Sequence, residues 1–463
     1  MRPSLRWLPL SVRRKGGHAA LQVRRQREER PPQRVPWNNQ PLPTLKHRFR
    51  DMGCVEGGTA EWAWRDRTTD TGDLKETFSR VRADSPFPME VKQRAHFLCA
   101  QYLGGAWKTA HHDQFTIKQI TGGMSNLLFL VELSPDCRLE KSEYRQALLR
   151  VHCQTDIDQL LSESVVFTLL SERKLGPRLL GVFPGGRFEE FIPSRPLQCS
   201  EISENDLIRK IGPIMARVHI LDVPIGKEPQ VINRARAWLD KWSQHENSAQ
   251  GVNIYCTQAG VNPEKHPAHV SLADLRGELE FVERFLECIH SPVVFSHNDM
   301  QEGNILLIDE SVLDEGEDDL ALIDFEYCNY NYRGFDLGNH MAEYGIDYSC
   351  DVFPFYFVYR DKFNVEEKRR LLCEGYLNEV YRQRSLGVRL PSSVITGDRA
   401  TDLQRLEDEA ALFINISHIF WVCWALLNAE ESSIPFGFAE YARDRLALYY
   451  ELKPSMEKYM ESH

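Results

Sequence analysis

Val293-Val-Phe-Ser-His-Asn-Asp-Met-Gln-Glu-Gly-Asn-Ile-Leu-Leu307 decides how the rest of the chain is read. Val293–Ser296 suits a strand, and it runs straight into His297-Asn-Asp299, polar groups that a strand interior would not accept. Asn304 follows Asp299 by five positions, and an apolar strand resumes over Asn304–Ile308. Residues 309–319 then hold seven acids in eleven positions, after which the apolar strand Leu320–Ile323 ends on Asp324-Phe-Glu326. The last two strands are expected to pair as an elongated hairpin with the acidic run as its solvated tip.

Strand ends thus deliver two carboxylates and an amide to one place. Phosphoryl transfer from a nucleoside triphosphate needs such parts. One carboxylate orients the acceptor hydroxyl and takes its proton, while an Asn and a second carboxylate hold Mg²⁺, which prefers oxygen ligands. Asp-x4-Asn alone is common, and a capped turn would explain it. Joined to His-Asn-Asp and a strand-borne Asp-Phe, it reproduces a kinase catalytic loop and metal motif, with Asp299, Asn304 and Asp324 in the catalytic positions and Asn304 and Asp324 on the metal.

On the N-terminal side, a helical stretch runs from Pro86 to Gly105, followed by strands at Phe115–Ile120, Leu127–Val131 and Ala147–Val151 and a helix from Asp156 to Arg173. Two short strands follow around Pro184-Gly185-Gly186. The pattern predicts a small lobe of mixed sheet with one inserted helix. Its loop Thr121-Gly-Gly-Met-Ser-Asn126 lets backbone amides approach a polyphosphate, although a Gly-Gly hairpin is also an ordinary turn. Arg150 ends a strand where a kinase keeps its phosphate-binding Lys, and Glu163 on the next helix is placed to pair with it; a surface ion pair is the plainer alternative. There is no GxGxxG, no Val-Ala-Ile-Lys and no Ala-Pro-Glu after Asp324, so this is not a protein kinase.

Beyond Pro196 the pattern turns helical, near 204–220, 271–289, 366–383 and 402–429. Ala410–Ala429 lacks Asp, Glu, Lys and Arg over twenty residues, long enough to span a bilayer. Its Asn415, Ser417, His418 and Asn428, and the Glu residues flanking it, instead predict a buried helix and no integral membrane segment. Trp421 and Trp424 share a face of that helix. With Tyr348, Phe436, Tyr441 and the carboxylate of Glu343 they are the ingredients of a quaternary-ammonium cage; a Trp pair at this spacing is also common in cores.

The formal charge of −11 over 463 residues hides two populations. Residues 1–50 carry 11 Arg and 2 Lys against Glu28 and Glu29, whereas the other 413 residues hold 43 basic and 65 acidic groups. So acidic a body repels nucleic acid. Eleven scattered Cys with no CxxC pair indicate neither a disulfide framework nor a zinc site, and fit a reducing compartment. The Arg-rich, acid-poor residues 1–50, with no apolar run of a secretory signal, loosely fit a mitochondrial transit peptide, but their Pro density opposes an amphipathic helix and the stretch 1–85 reads as a disordered tail.

Ser296–Leu307, Leu322-Ile-Asp-Phe-Glu-Tyr327, Tyr330–His340 and Ile419-Phe-Trp-Val-Cys-Trp424 resemble the choline/ethanolamine kinases, as do Tyr102–Trp107, Ile120–Asn126 and Phe191-Ile-Pro-Ser-Arg195. The resemblance covers roughly 86–455, and the Gln-Glu-Gly-Asn and Asp-Phe-Glu-Tyr forms are most like the choline branch. It implies an α+β, bilobal protein-kinase-like fold, with an ATP-binding lobe over 86–195 and a catalytic, choline-binding lobe over 196–463. It further implies a cytoplasmic homodimer that uses ATP and Mg²⁺ to make phosphocholine, the first step of the CDP-choline route, with weaker activity on ethanolamine. By position, Gly122, Gly123, Ser125, Asn126, Arg150, Glu163, Glu190, Ile192, Gln301 and Asp324 would contact the nucleotide. Asp299, Glu326, Tyr327, Glu343, Tyr348, Trp421, Trp424, Phe436 and Tyr441 would contact choline. Glu190 departs from the family's Gln beside the adenine, and a carboxylate cannot donate the amide's N–H bond. An ethanolamine-preferring or other small-alcohol kinase, and a silent scaffold, remain the alternatives.

Overall fold

Phe115 and Ile117 are buried while Thr116 and Lys118 face outward, the period of two that a strand covered on one face requires. The computed structural model describes residues 74–79, 81, 87–120, 126–152, 157–255 and 257–462. Expectations for the tail over residues 1–73 and for Gly122, Gly123 and Ser125 lie outside the described residues. The chain divides into two compact units, one running to Ser194 and including Ile308–Asp319, the other comprising Arg195–Leu307 and Leu320–His463.

In the first unit, strands β1 (Phe115–Ile120), β2 (Asn126–Leu133), β3 (Gln146–His152), β4 (Leu179–Phe183) and β5 (Gly186–Glu190) form a sheet of order β1-β2-β3-β5-β4. Every pairing is antiparallel, where the sequence suggests a mixed sheet. The reason is the tight turn at Pro184-Gly185, which folds β5 back from β4 and inserts it beside β3. Gly186 is required there, since a Cβ would stand 2.3 Å from the Arg150 carbonyl oxygen. Helices α1 (Leu74–Ser79), α2 (Met89–Tyr102) and α3 (Ile157–Glu172) accompany the sheet. The first of these lies ahead of the expected onset of order at Pro86. Its Phe78 is fully buried, with its ring 5.0 Å from Phe129 in the core of this unit.

The second unit is mainly helical: α4 (Asn205–His219), α5 (Val231–Trp242), α6 (Leu272–Ile289), α7 (Arg333–Glu343), α8 (Glu366–Ser385), α9 (Arg399–Glu431) and α10 (Phe438–Ser462). Antiparallel ribbons interrupt it. Strand β6 (Val293–Ser296) pairs with β9 (Asn329–Tyr332), and β7 (Ile305–Ile308) with β8 (Leu320–Leu322), the hairpin expected from sequence. Asp398 caps α9, accepting from the Thr401 N–H at 2.9 Å. The apolar stretch of α9 is a core element, with Phe413, Ile414, Ile416 and Val422 fully buried.

Helix α7 lies against α9 closely enough that a Cβ on Gly338 would be 2.5 Å from the Phe413 carbonyl carbon and 2.6 Å from the Ile414 nitrogen. Backbone cannot move aside as a flexible side chain can. Gly338→Ala is therefore expected to lower stability by about 3 kcal/mol, the upper range for overpacking, read as a fall in the urea midpoint. Arg333 locks the same pair of helices, with its Nε and Nη2 donating to Glu409 at 2.8 and 2.6 Å, fully buried.

Candidate active site

The loop after β6 is held by a residue well downstream. Asp336, on α7, accepts the backbone N–H groups of His297 and Asn298 at 3.0 and 2.8 Å, one on each carboxylate oxygen. His219 Nε2 is 3.0 Å from the same Asp336, and its Nδ1 is 3.0 Å from the Tyr376 hydroxyl. His297 does not reach outward: its Nε2–H donates to the Ile323 carbonyl at 3.0 Å. Asn298 takes a positive φ of 66°, donates to the Tyr327 carbonyl at 3.0 Å and accepts from Asn331 at 2.9 Å. His340 Nδ1 donates to the Met300 carbonyl at 2.8 Å. The loop is thus tied to β9, α7 and the end of β8 before any ligand binds.

This framework brings Asp299 and Asn304 together. Asn304 Nδ2 donates to Asp299 Oδ2 at 2.8 Å and to its carbonyl at 2.9 Å, which turns Asn304 Oδ1 away from Asp299. The Asn304 carbonyl accepts the Ile323 N–H at 3.0 Å, so Asp324 follows directly, with φ 62°. Burial raises the Asp299 carboxyl well above the usual carboxylate range, and the charges of Glu343, Asp324 and Glu326 raise it further against the Asn304 hydrogen bond. Glu302, buried nearby, is raised in the same way, by desolvation and then by Glu343. So many carboxylates in one low-dielectric region call for cations. The oxygens of Asn304 and Asp324 are a donor set suited to Mg²⁺, which takes few protein ligands and completes its shell with water and phosphate. Among the described residues no group of three or more His, Cys, Asp or Glu forms a metal site by itself. Gln301 is engaged locally, its Oε1 capping the Gly303 N–H at 2.8 Å.

The aromatic residues singled out from sequence converge in the same unit. Trp421 lies 5.5 Å from Tyr327 and 5.4 Å from Trp424, edge to face. Trp424 lies 6.4 Å from Tyr441, which is 5.6 Å from Phe436 and 6.3 Å from Tyr348. Tyr348 donates to Glu343 Oε2 at 2.8 Å. Trp421 is buried and serves as core as well, its Nε1 donating to Asn339 Oδ1 at 2.7 Å, whereas Trp424, Tyr348, Phe436 and Tyr327 keep exposed surface. The Arg234 guanidinium covers one face of Tyr327 at 5.2 Å.

In the sheet unit, Arg150 and Arg187 stand opposite each other on β3 and β5. Glu189 Oε1 bridges them, at 2.9 Å from Arg150 Nε and 2.8 Å from Arg187 Nε. Glu163 on α3 pairs with Arg187 at 2.8 Å. The pair expected from sequence, Glu163 with Arg150, is thereby corrected: Arg187 takes the glutamate, because the β3–β5 register puts a second arginine beside the first. Burial opposes the charge on Glu189, but the two arginines hold its carboxyl below the usual range. His152, desolvated and beside Arg187, is lowered to about 4. Glu190 Oε2 accepts the Arg178 N–H at 3.1 Å, and Ile192 is buried two residues on. Asn126 begins β2, beside the segment outside the described residues.

Sequence reasoning missed Asp336, His219, Asn339, Trp238 and Arg445. Trp238 stacks 6.4 Å from Trp421. Only Asp336 and Asn339 carried a signal, as polar residues inside the Tyr330–His340 motif. A model of the choline/ethanolamine kinase family matches residues 117–450. The chain is 41% identical over 415 residues to choline kinase A2 of Caenorhabditis elegans, covering 84% of this chain and 92% of that one. It is 35% identical over 390 residues to a choline/ethanolamine kinase of Rattus norvegicus, covering 82% and 91%. The solved structure of a choline kinase from Cryptosporidium parvum matches with a TM-score of 0.61 at 23% identity, over 79% of this chain and 96% of that one, a likeness of fold.

Proposed function

The chain belongs to the choline/ethanolamine kinase family, and on that premise we propose that it transfers the γ-phosphoryl group of ATP to the hydroxyl of choline, with ethanolamine as a weaker acceptor. The observation that carries the reading is Asp299, fixed by Asn304 within a buried group of carboxylates in the unit that also holds the Trp421–Trp424–Tyr441–Tyr348 aromatic set.

Asp299 orients the acceptor hydroxyl and receives its proton as the oxygen attacks phosphorus. Its desolvated carboxylate, with a raised proton affinity, suits that task. Asn304 fixes the carboxylate rotamer through Nδ2 and keeps Oδ1 for a metal ion, with Asp324 as the second ligand. Mg²⁺, when bound there, would neutralise charge on the phosphate oxygens. The ammonium of the acceptor rests on the ring faces of Trp424, Tyr441, Tyr348 and Phe436, in the field of Glu343. Trp421 and Tyr327 support those rings, and Glu326 adds negative field beside Tyr327. On the nucleotide side, Arg150 would contact phosphate together with the loop over 122–126, and Glu163 would act through Arg187 to keep the sheet cluster charged. Gln301 retains its Nε2 as a phosphate donor. The adenine would lie against Ile192 and Glu190, whose carboxylate can only accept. The same reading takes the enzyme as a cytosolic homodimer, which sedimentation of the full chain and cell fractionation test.

The functional test is steady-state turnover of the full chain with ATP and Mg²⁺ on choline and on ethanolamine. A higher kcat/KM for choline is expected, lost on chelation of Mg²⁺. Trp424→Ala should raise the choline KM about tenfold, the scale of one desolvated cation–π contact, with the ATP KM little changed. Equal changes in both constants, or a preference for ethanolamine, would remove the aromatic set from the role given to it.

A further inference from the structure

Glu343, Arg445, Tyr441 and Tyr348 close a ring of hydrogen bonds. Arg445 Nη2 spends both its hydrogens, one on Glu343 Oε1 at 2.5 Å and one on the Tyr441 hydroxyl at 2.5 Å. Tyr348 donates to Glu343 Oε2 at 2.8 Å and stands 2.9 Å from the Tyr441 hydroxyl. Proton counting fixes the direction of that last bond. Arginine only donates and a carboxylate only accepts, so the one proton of Tyr348 is committed to Glu343 and Tyr441 must supply the proton between the hydroxyls. Burial raises both phenols, so each keeps its proton.

The ring is braced from behind. Arg445 Nη1 lies 3.2 Å from His418 Nδ1, which must accept because arginine cannot. His418 is therefore neutral with its proton on Nε2, in keeping with burial and the Arg445 charge holding its pKa well below the ordinary value. Arg445 is fully buried, and its guanidinium also lies over the Tyr441 ring at 4.9 Å.

This arrangement has a consequence for the acceptor, resting on the reading above. Each phenol oxygen already accepts one hydrogen bond within the ring, Tyr441 from Arg445 and Tyr348 from Tyr441, so each has at most one acceptor site left for an ammonium. Both Glu343 oxygens already accept a hydrogen bond, and the glutamate charge is shared with Arg445. A primary ammonium leaving water must replace N–H···O bonds, and here it finds a carboxylate whose acceptor sites are partly taken. A quaternary ammonium has no N–H to satisfy and needs only ring faces and a residual field. We infer that the Glu343–Arg445–Tyr441–Tyr348 ring sets the preference for quaternary over primary ammonium alcohols, with Arg445 as a positioning residue that occupies Glu343 and orients the two phenols.

The test compares kcat and KM for choline, N,N-dimethylethanolamine and ethanolamine in the parent chain, Tyr348→Phe, Tyr441→Phe and Arg445→Lys, with thermal melts confirming folding. Tyr348→Phe keeps the ring face but frees Glu343 Oε2. The choline-to-ethanolamine ratio of kcat/KM should fall about tenfold, the worth of one hydrogen bond to a charged group, mainly through a lower ethanolamine KM. Dimethylethanolamine should fall between the two. Tyr441→Phe, which removes the donor to the Tyr348 oxygen and one acceptor of Arg445 Nη2 but leaves both Glu343 oxygens occupied, should lower the ratio less. Arg445→Lys keeps the charge without the two-pronged donor and should also lower the ratio. Parallel losses on all three alcohols, with the ratio within twofold of the parent, would mean a structural role only and overturn the inference. A parental ratio in Arg445→Lys would overturn the part given to Arg445. Failure of the parent to turn over any of the three would overturn the functional reading and this inference together, whereas a choline-preferring parent with an unchanged ratio in Tyr348→Phe overturns the inference alone.

Discussion

Asp299→Asn is expected to lower kcat by about 10³- to 10⁴-fold, the upper range for removing a positioned general base, while the folded protein stays at least as stable as the parent. The two halves of that result have one cause. Burial and the charges of Glu343, Asp324 and Glu326 raise the Asp299 carboxyl, so the ionised group is costly to the fold and useful only to the chemistry. An asparagine removes the charge but leaves an oxygen to accept from Asn304 Nδ2, now 2.8 Å from Asp299 Oδ2. Urea unfolding and single-turnover kinetics on the same preparation would check both. Turnover above about a tenth of the parent's would remove Asp299 from the role of base, because general-base contributions are larger than that.

Asp336→Ala should be costly in both respects. It strands the backbone N–H groups of His297 and Asn298 and the Nε2 of His219, all buried. At about 1–3 kcal/mol for each stranded donor, the loss is at least about 3 kcal/mol, a large share of a domain's stability. The loop that carries Asp299 would lose its register, so kcat should fall at least about 100-fold even below the melting temperature, since small displacements of a catalytic group cost that much. Asp336→Asn, which can accept only through one oxygen, should fall between parent and alanine. The Asp336 carboxyl is held below its ordinary value: burial opposes ionisation, but the His219 hydrogen bond and charge and the His297 contact outweigh it. Its contribution is therefore complete above the unfolded value, about pH 4, and is lost as the pH falls through the folded value. The alanine variant should show a flatter loss of stability on acidification than the parent. An unchanged urea midpoint would show that the loop is held by other means.

Residues that act through contiguous sequence were legible before the structure. His297 to Asn304 and Leu320 to Glu326 are strand–loop–strand segments whose chemistry is set by spacing, and the structure closes them as the hairpin of β7 and β8. The aromatic set was half legible: helical spacing puts Trp421 and Trp424 on one face, but nothing local says that Trp238 stacks on the first or that Asn339 binds its indole. Residues that act across the fold were not legible. Arg445 is one helical turn beyond Tyr441, an ordinary position, and becomes informative only when α7 brings Glu343 to it. Glu163 was assigned the wrong arginine because strand register across β3 and β5 is a property of the sheet, not of either strand. Helix α1 has only Leu74 and Phe78 as buried residues, too few to show a period.

The most direct single measurement is phosphorus NMR of the full chain incubated with ATP, Mg²⁺ and choline, run beside Asp299→Asn. The expected result is phosphocholine and ADP growing in equal amounts in the parent sample and no phosphocholine from the variant. Release of inorganic phosphate without phosphocholine, or equal phosphocholine from both proteins, would contradict the assignment of Asp299 and the aromatic site to choline phosphorylation.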